Sequence, residues 1–305
     1  MTIQHFIEAA QRDHAANPAA VAARLPDGFA MLLTAPDHAE AFARLVEHVV
    51  LGHMDDAREL DRWIARLEPL AAGNSQLAAA LARARLANAL AGGAGMPAES
   101  SLTAADQVRA YGNALLALTR RAAWAEARAR LSSAQALADA AGDAASLRSL
   151  AAITNNLAGD LRFYLGDRRD DGGYVDLMID AARISHASWY RAGGWLERER
   201  ADYQVALCLA GAGRAEEALR AAEACWQGCV ENDADSVECF YALEALGHAH
   251  CAAGRLDEAR AARVGMAERL PSLDEASRGP ATEQLEALSD AITAREGRSG
   301  MPDRS

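Results

Sequence analysis

The stretch TNNLAGDLRFYLGD, residues 154–167, carries two adjacent asparagines and two glycines in a chain where alanine and leucine make almost every window read as helix. All four are poor helix-interior residues, so their placement serves something other than helix formation. Gly159 and Gly166 stand seven apart, and the second opens a polar turn. The same offset returns as Ala206 and Gly213 in VALCLAGAGRAEEAL and as Gly247 and Gly254 in LGHAHCAAGRLDEAR. Five residues past the last two turn glycines come Ala218 and Ala259, twelve past come Cys225 and Met266, and seventeen past Gly254 comes Pro271. Fixed offsets at small residues mark a repeated helix pair. A glycine ends the first helix because it takes the left-handed conformation cheaply. A small residue two turns earlier lets the second helix lie close against the first.

Outside this register, apolar residues recur three and four apart from residue 38 onward, and no segment alternates long enough to read as a strand. The chain is therefore expected to be all-α. Helices are predicted over about 2–16, 37–51, 54–68 and 75–91, and then over about 104–121, 123–141, 144–165, 173–191, 195–211, 214–231, 235–252, 255–270 and 274–296. Proline breaks helices through its missing N–H, so Pro18, Pro26, Pro36, Pro69 and Pro97 are read as punctuation of the first third. The segment LAGGAGMPAESS, 90–101, reads as a linker. The expected organisation is an N-terminal helical region over 1–95 with one divergent repeat, a repeat array over 104–296 and a tail over 297–305. In that divergent repeat Gly52, Ala57, Ile64 and Pro69 follow the offsets, and Leu45 replaces the small residue. The Trp124 to Ala134 region fits loosely because its turn has no glycine.

These offsets resemble the tetratricopeptide repeat family, most clearly over residues 144–271. Spacings of 47 and 41 between the turn glycines exceed the roughly 34 residues of the standard repeat and point to a longer-helix variant. The resemblance implies a right-handed α-solenoid of antiparallel helix pairs with the first helices lining a concave groove. Carried over residue by residue, it puts Ile153, Asn156, Asp160 and Phe163 in the groove, then Arg200, Tyr203 and Leu207, then Tyr241, Glu244, His248 and Cys251. Asn156, Asp160, Phe163, Arg200, Tyr203, Tyr241, Glu244 and His248 are the expected ligand-binding residues. An amide can bond a peptide backbone, and arginine can hold a carboxylate through two parallel bonds. Phe42, Val46 and Val49 fall at the same offsets and are too apolar to stay wet, so the first thirty residues are expected to cover them. Trp189 and Trp195 are expected to plug the core between repeats.

Composition removes whole classes of chemistry. All 31 basic residues are arginine, which excludes Schiff-base lysines, pyridoxal phosphate linkage and a Walker-loop lysine. No nucleophile-elbow motif or glycine-rich phosphate loop occurs, no catalytic residue stands out, and no cofactor is expected. Five cysteines do not make a disulfide framework. Residues 153–305 hold 27 acids against 17 arginines, a surface that repels nucleic acid and steers basic partners. No apolar run is long enough to span a bilayer, and the N-terminus lacks the pattern of a secretory signal. A soluble, cytoplasmic protein is expected. The function read from the sequence is a non-catalytic binding module or regulator, a scaffold for a protein, peptide or small ligand. The alternative is a helical enzyme or metal protein using Glu244, His248 and Cys251, which stand four and three apart on one helix face. No metal is expected, because those positions follow repeat packing.

Overall fold

The computed structural model describes residues 1–92 and 102–299. The expected linker lies almost entirely outside them, as does the end of the tail. Among the described residues there are fourteen α-helices and no strand. Contacts divide the chain into two compact units, residues 1–153 and 154–305. Unit 1 holds α1 (Ile3–Asp13), α2 (Pro18–Leu32), α3 (Ala39–Val46), a π-helical segment (Glu47–His53), α4 (Ala57–Leu67), α5 (Ser75–Leu90), α6 (Ala104–Arg120) and α7 (Trp124–Ala141). The boundary falls inside α8 (Ala144–Phe163). Unit 2 continues with α9 (Gly172–Ala192), α10 (Trp195–Gly211), α11 (Ala215–Glu231), α12 (Ser236–Ala253), α13 (Leu256–Arg269) and α14 (Glu275–Ser299).

Helix starts are set by short polar side chains that accept from otherwise orphaned backbone N–H groups. Asp56, Asn74, Thr103, Asp143, Asp171, Asp235 and Asp274 each cap a helix this way at 2.7–3.2 Å. Several of the stops are left-handed residues. Gly213 and Gly254 both have φ +74°, as their offsets predict. The turn between α6 and α7 also keeps the register, with Ala122 taking the left-handed conformation at φ +55°. Ala127 and Ala134, five and twelve residues on, are fully buried, as are Ala218, Ala259, Cys225 and Met266 at the same offsets. In the divergent repeat around Gly52 the register departs from the expected one by three residues. The left-handed residue is Asp55, φ +53°, followed by buried Leu60 and Leu67, while Gly52 lies inside the π segment with an ordinary backbone.

The small residue two turns before the stop faces a different neighbour from the one expected. A Cβ on Gly247 would stand 2.4 Å from Leu288 Cδ2 on α14, so glycine there admits the next first helix and not α13. Gly159 has Gln204 of α10 at an ordinary 3.7 Å. Each helix from α9 to α13 also packs on its neighbour in the chain, and first helices touch one another, α10 on α12 and α12 on α14.

The covered apolar face of unit 1 is present. Phe42, Val46 and Val49 are buried, with Phe6 of α1 and Phe29 of α2 packed against Phe42 at ring-centroid distances of 6.3 and 6.5 Å. Helix α2 was not predicted. It runs through Pro26, whose exposed ring interrupts a helix that Leu25, Gly28 and Phe29 hold to the core. Gly28 is required there, since a Cβ would stand 2.4 Å from the Phe6 ring. Trp195 departs from its expected core role, being 41% exposed at the first position of α10. No described helix is long and apolar enough to cross a membrane.

Candidate ligand groove

In unit 2 the face built by the end of α8, α10, α12 and α14 holds two cavities. The larger, about 940 Å³, is lined by Arg162, Phe163, Leu207, His248, Cys251 and Arg295 among others. The smaller, about 290 Å³, is lined by Asn155, Glu199, Arg200, Tyr203, Glu238 and Tyr241 among others. Glu244 joins the residues of the two. It is 1% exposed, its Oε2 accepts from Tyr203 Oη at 2.9 Å, and its Oε1 has no hydrogen-bond partner and stands 4.0 Å from His248 Nε2.

Burial sets the ionisation of this group. It lifts the Glu244 carboxyl to about 7, against the opposing pull of the Tyr203 hydroxyl and the Arg162 charge. Burial and then the Arg162 charge hold His248 down near 4. The Tyr203 hydroxyl is pushed well up by burial and by the Glu244 charge. Burial thus favours the neutral form of both His248 and the Glu244 carboxyl beside it. The guanidinium whose field reaches all three is Arg162, and its Nε is buried without a hydrogen-bond partner.

The sequence-predicted residues fall into three groups. Phe163 and His248 line the larger cavity, with Phe163 76% exposed beside it. Arg200, Tyr203 and Tyr241 line the smaller one, where the two tyrosine rings meet edge to face at 5.8 Å and Arg200 is ion-paired with Glu238. Asn156 is exposed and Asp160 half-buried, and neither lines these cavities. Asn155 stands where Asn156 was expected. Arg162 was missed because the family offsets select Asp160 and Phe163 on either side of it.

The set Glu244, His248 and Cys251 does not converge as metal ligands. Among the described residues the convergent group of three is elsewhere, at His14, His48 and His53. The reason is packing. Glu244 is turned to Tyr203, and Cys251 is buried with Phe240, Ala259, Met266 and Leu288. Cys225 and Cys229 donate from Sγ to Glu199 Oε1 at 2.9 and 3.6 Å, and all five thiols are free. Burial and the neighbouring Glu199 charge push both of those thiols up, which disfavours the thiolate form that nucleophilic chemistry needs.

Comparison with protein-family models returned no match, and comparison with curated proteins likewise returned none. The tetratricopeptide resemblance therefore stands on the residues themselves.

Proposed function

We propose that residues 154–299 form an array of tetratricopeptide-like helix pairs, right-handed as the resemblance implies, acting as a non-catalytic binding module or regulator. Its ligand is the acidic end of a peptide or protein segment, seated in the larger cavity. The observation that carries this reading is Arg162. A buried guanidinium nitrogen without a partner is costly unless a ligand completes it, and this one borders a cavity also lined by Arg169 and Arg295, with Asp290 as its carboxylate among the described side chains. The exposed Phe163 ring at the rim offers an apolar surface for the residue next to the bound carboxylate. The acidic surplus in the sequence of residues 153–305 suits a partner whose body is basic.

The test is calorimetry on a peptide mapped from a pull-down, made with a free and with an amidated C-terminus. Arg162→Ala is expected to weaken the free-carboxylate peptide by roughly 1–3 kcal/mol, the range for a charge-assisted bond. Arg220→Ala, at an exposed position on α11, is expected to leave it unchanged. Equal affinity of the two peptides for the wild-type chain rules this reading out.

A second reading is a helical enzyme with Glu244 as proton donor or acceptor. Its support is the carboxyl lifted to about 7 with one oxygen unpartnered at the edge of the groove. It requires a substrate turned over by the wild-type chain and not by Glu244→Gln, a variant that keeps an acceptor for Tyr203.

A further inference from the structure

Three histidines of unit 1 meet although the sequence separates them. His14 ends α1, and His48 and His53 lie in the π segment. Five residues apart on an α-helix they would point some 140° away from each other. The π segment, with its Met54 N–H bonded to Val49 O at 3.0 Å, places residues five apart one above the other. The three rings stand edge-on at centroid distances of 4.8, 5.0 and 4.7 Å, and one ligating nitrogen from each lies within 4.8 Å of the others. All three are half-buried.

The surroundings orient them as ligands. Arg83 pairs with buried Glu47, and Glu47 Oε1 accepts from Asn113 Nδ2 at 2.8 Å, which fixes the Asn113 amide with Oδ1 facing His48 Nδ1 at 2.8 Å. His48 therefore carries its proton on Nδ1 and turns Nε2 to the cluster. His14 Nδ1 faces Gln11 O at 2.7 Å, an acceptor only, so its Nε2 is likewise a lone pair. A hydrogen bond from the far nitrogen to an amide or carbonyl oxygen is what metal-bound imidazoles show. Gly52 keeps room for this, since a Cβ there would press on Asn113 Oδ1 at 3.1 Å. The Nε2 atoms of His48 and His53 are 3.2 Å apart. Two nitrogens bound to one tetrahedral zinc ion at 2.0–2.1 Å stand about 3.3 Å apart.

We propose that His14, His48 and His53 bind one divalent transition-metal ion of the zinc class, with water in the fourth position. This departs from the sequence expectation of no metal, and it is independent of the groove in unit 2. Arg120 Nη2 approaches His53 Nδ1 at 3.5 Å, so in this geometry His53 accepts there and donates from Nε2 to His48. Metal replaces that Nε2 proton and moves the His53 proton to Nδ1, and the exposed Arg120 side chain turns away. Arg120 thus opposes binding.

The experiment uses untagged full-length protein, stripped with chelator and dialysed against micromolar zinc or cobalt. Expected are about one ion per chain, visible absorption of tetrahedral cobalt, and a rise in melting temperature with zinc. His14→Gln, at a half-buried helix end, is expected to abolish all three while leaving the melting of the stripped protein unchanged. Asn113→Ala is expected to weaken zinc binding by roughly 10–100-fold, and Arg120→Ala to tighten it. His248→Ala serves as control and keeps the full stoichiometry. Zinc that dialyses away from the wild-type chain, or that binds His14→Gln equally well, overturns the proposal.

Discussion

At the scale of single residues the turns are where local cost and repeat register meet. Ala122 occupies the left-handed position that Gly213 and Gly254 hold in later pairs, with φ +55°. A Cβ in that conformation costs roughly 1–2 kcal/mol, part of which glycine returns as unfolded-state entropy. Ala122→Gly is expected to stabilise unit 1 by up to about 1 kcal/mol, read from urea unfolding with an unchanged m-value. The groove residues give a second expectation with two signs. Glu244 is raised from 4.5 to about 7 in the folded chain, so the native state binds the extra proton, and stability falls as pH rises from about 4.5 to 7. His248 is lowered from 6.5 to about 4, so the unfolded state binds the extra proton, and stability falls as pH drops from about 6.5 to 4. The two oppose each other in the wild-type chain between about 4.5 and 6.5. Melting temperatures from pH 4 to 8 are expected to fall more steeply with rising pH in His248→Asn than in the wild type. In Glu244→Gln the slope over the acid half should tilt the other way. Parallel profiles for the two variants would contradict the assigned shifts.

Among elements, what was legible follows from which signal fixed each one. Gly213 and Gly254 do turn left-handed and Ala218 and Ala259 are buried at their offsets, because a left-handed stop favours glycine and a close helix contact favours a small residue, a preference the fixed spacing makes visible. Helix α2 was not legible. Pro18, Pro26 and Pro36 look like three breaks, yet Pro18 sits at the first position, where no N–H is needed, and burial of Val21, Leu25, Phe29 and Leu32 outweighs the bond lost at Pro26. The π segment was the harder case. Gly52, where the offsets put the stop, lies inside this segment, and the chain turns three residues later at Asp55, whose side chain gives no glycine signal. The π-helical spacing aligns His48 with His53, a pairing that no 3.6-residue pattern reveals. Tyr203, Tyr241, Phe163 and His248, expected on one face from the offsets of the resemblance, do line the two cavities, whatever those cavities hold. Arg162 was not expected there, because what sets it apart is the burial of its nitrogen, and burial of one atom leaves no periodic trace.

For the whole molecule the decisive quantity is charge set against local lining. Residues 153–305 carry 27 acids and 17 arginines, whereas the larger cavity is lined by Arg162, Arg169 and Arg295, so under the proposed reading the net charge of this stretch opposes an acidic ligand that the lining attracts. Long-range repulsion is screened over about 8–10 Å at ordinary salt, whereas a contact to the partly buried Arg162 is screened far less. Association and dissociation rates should then respond to different variables. For a peptide with an acidic body and a free C-terminal carboxylate, the association rate is expected to rise as salt increases from low to physiological strength. For a peptide with a basic body and the same terminus it is expected to fall, because steering is lost. Arg162→Ala should speed dissociation of both peptides by a similar factor and leave the two salt slopes in place, since removing one charge barely alters the distant field. Stopped-flow measurements on the four combinations separate the terms. If the Arg162 substitution instead abolishes the difference between the salt slopes, the arginine acts as a steering charge and the carboxylate is held elsewhere in the groove.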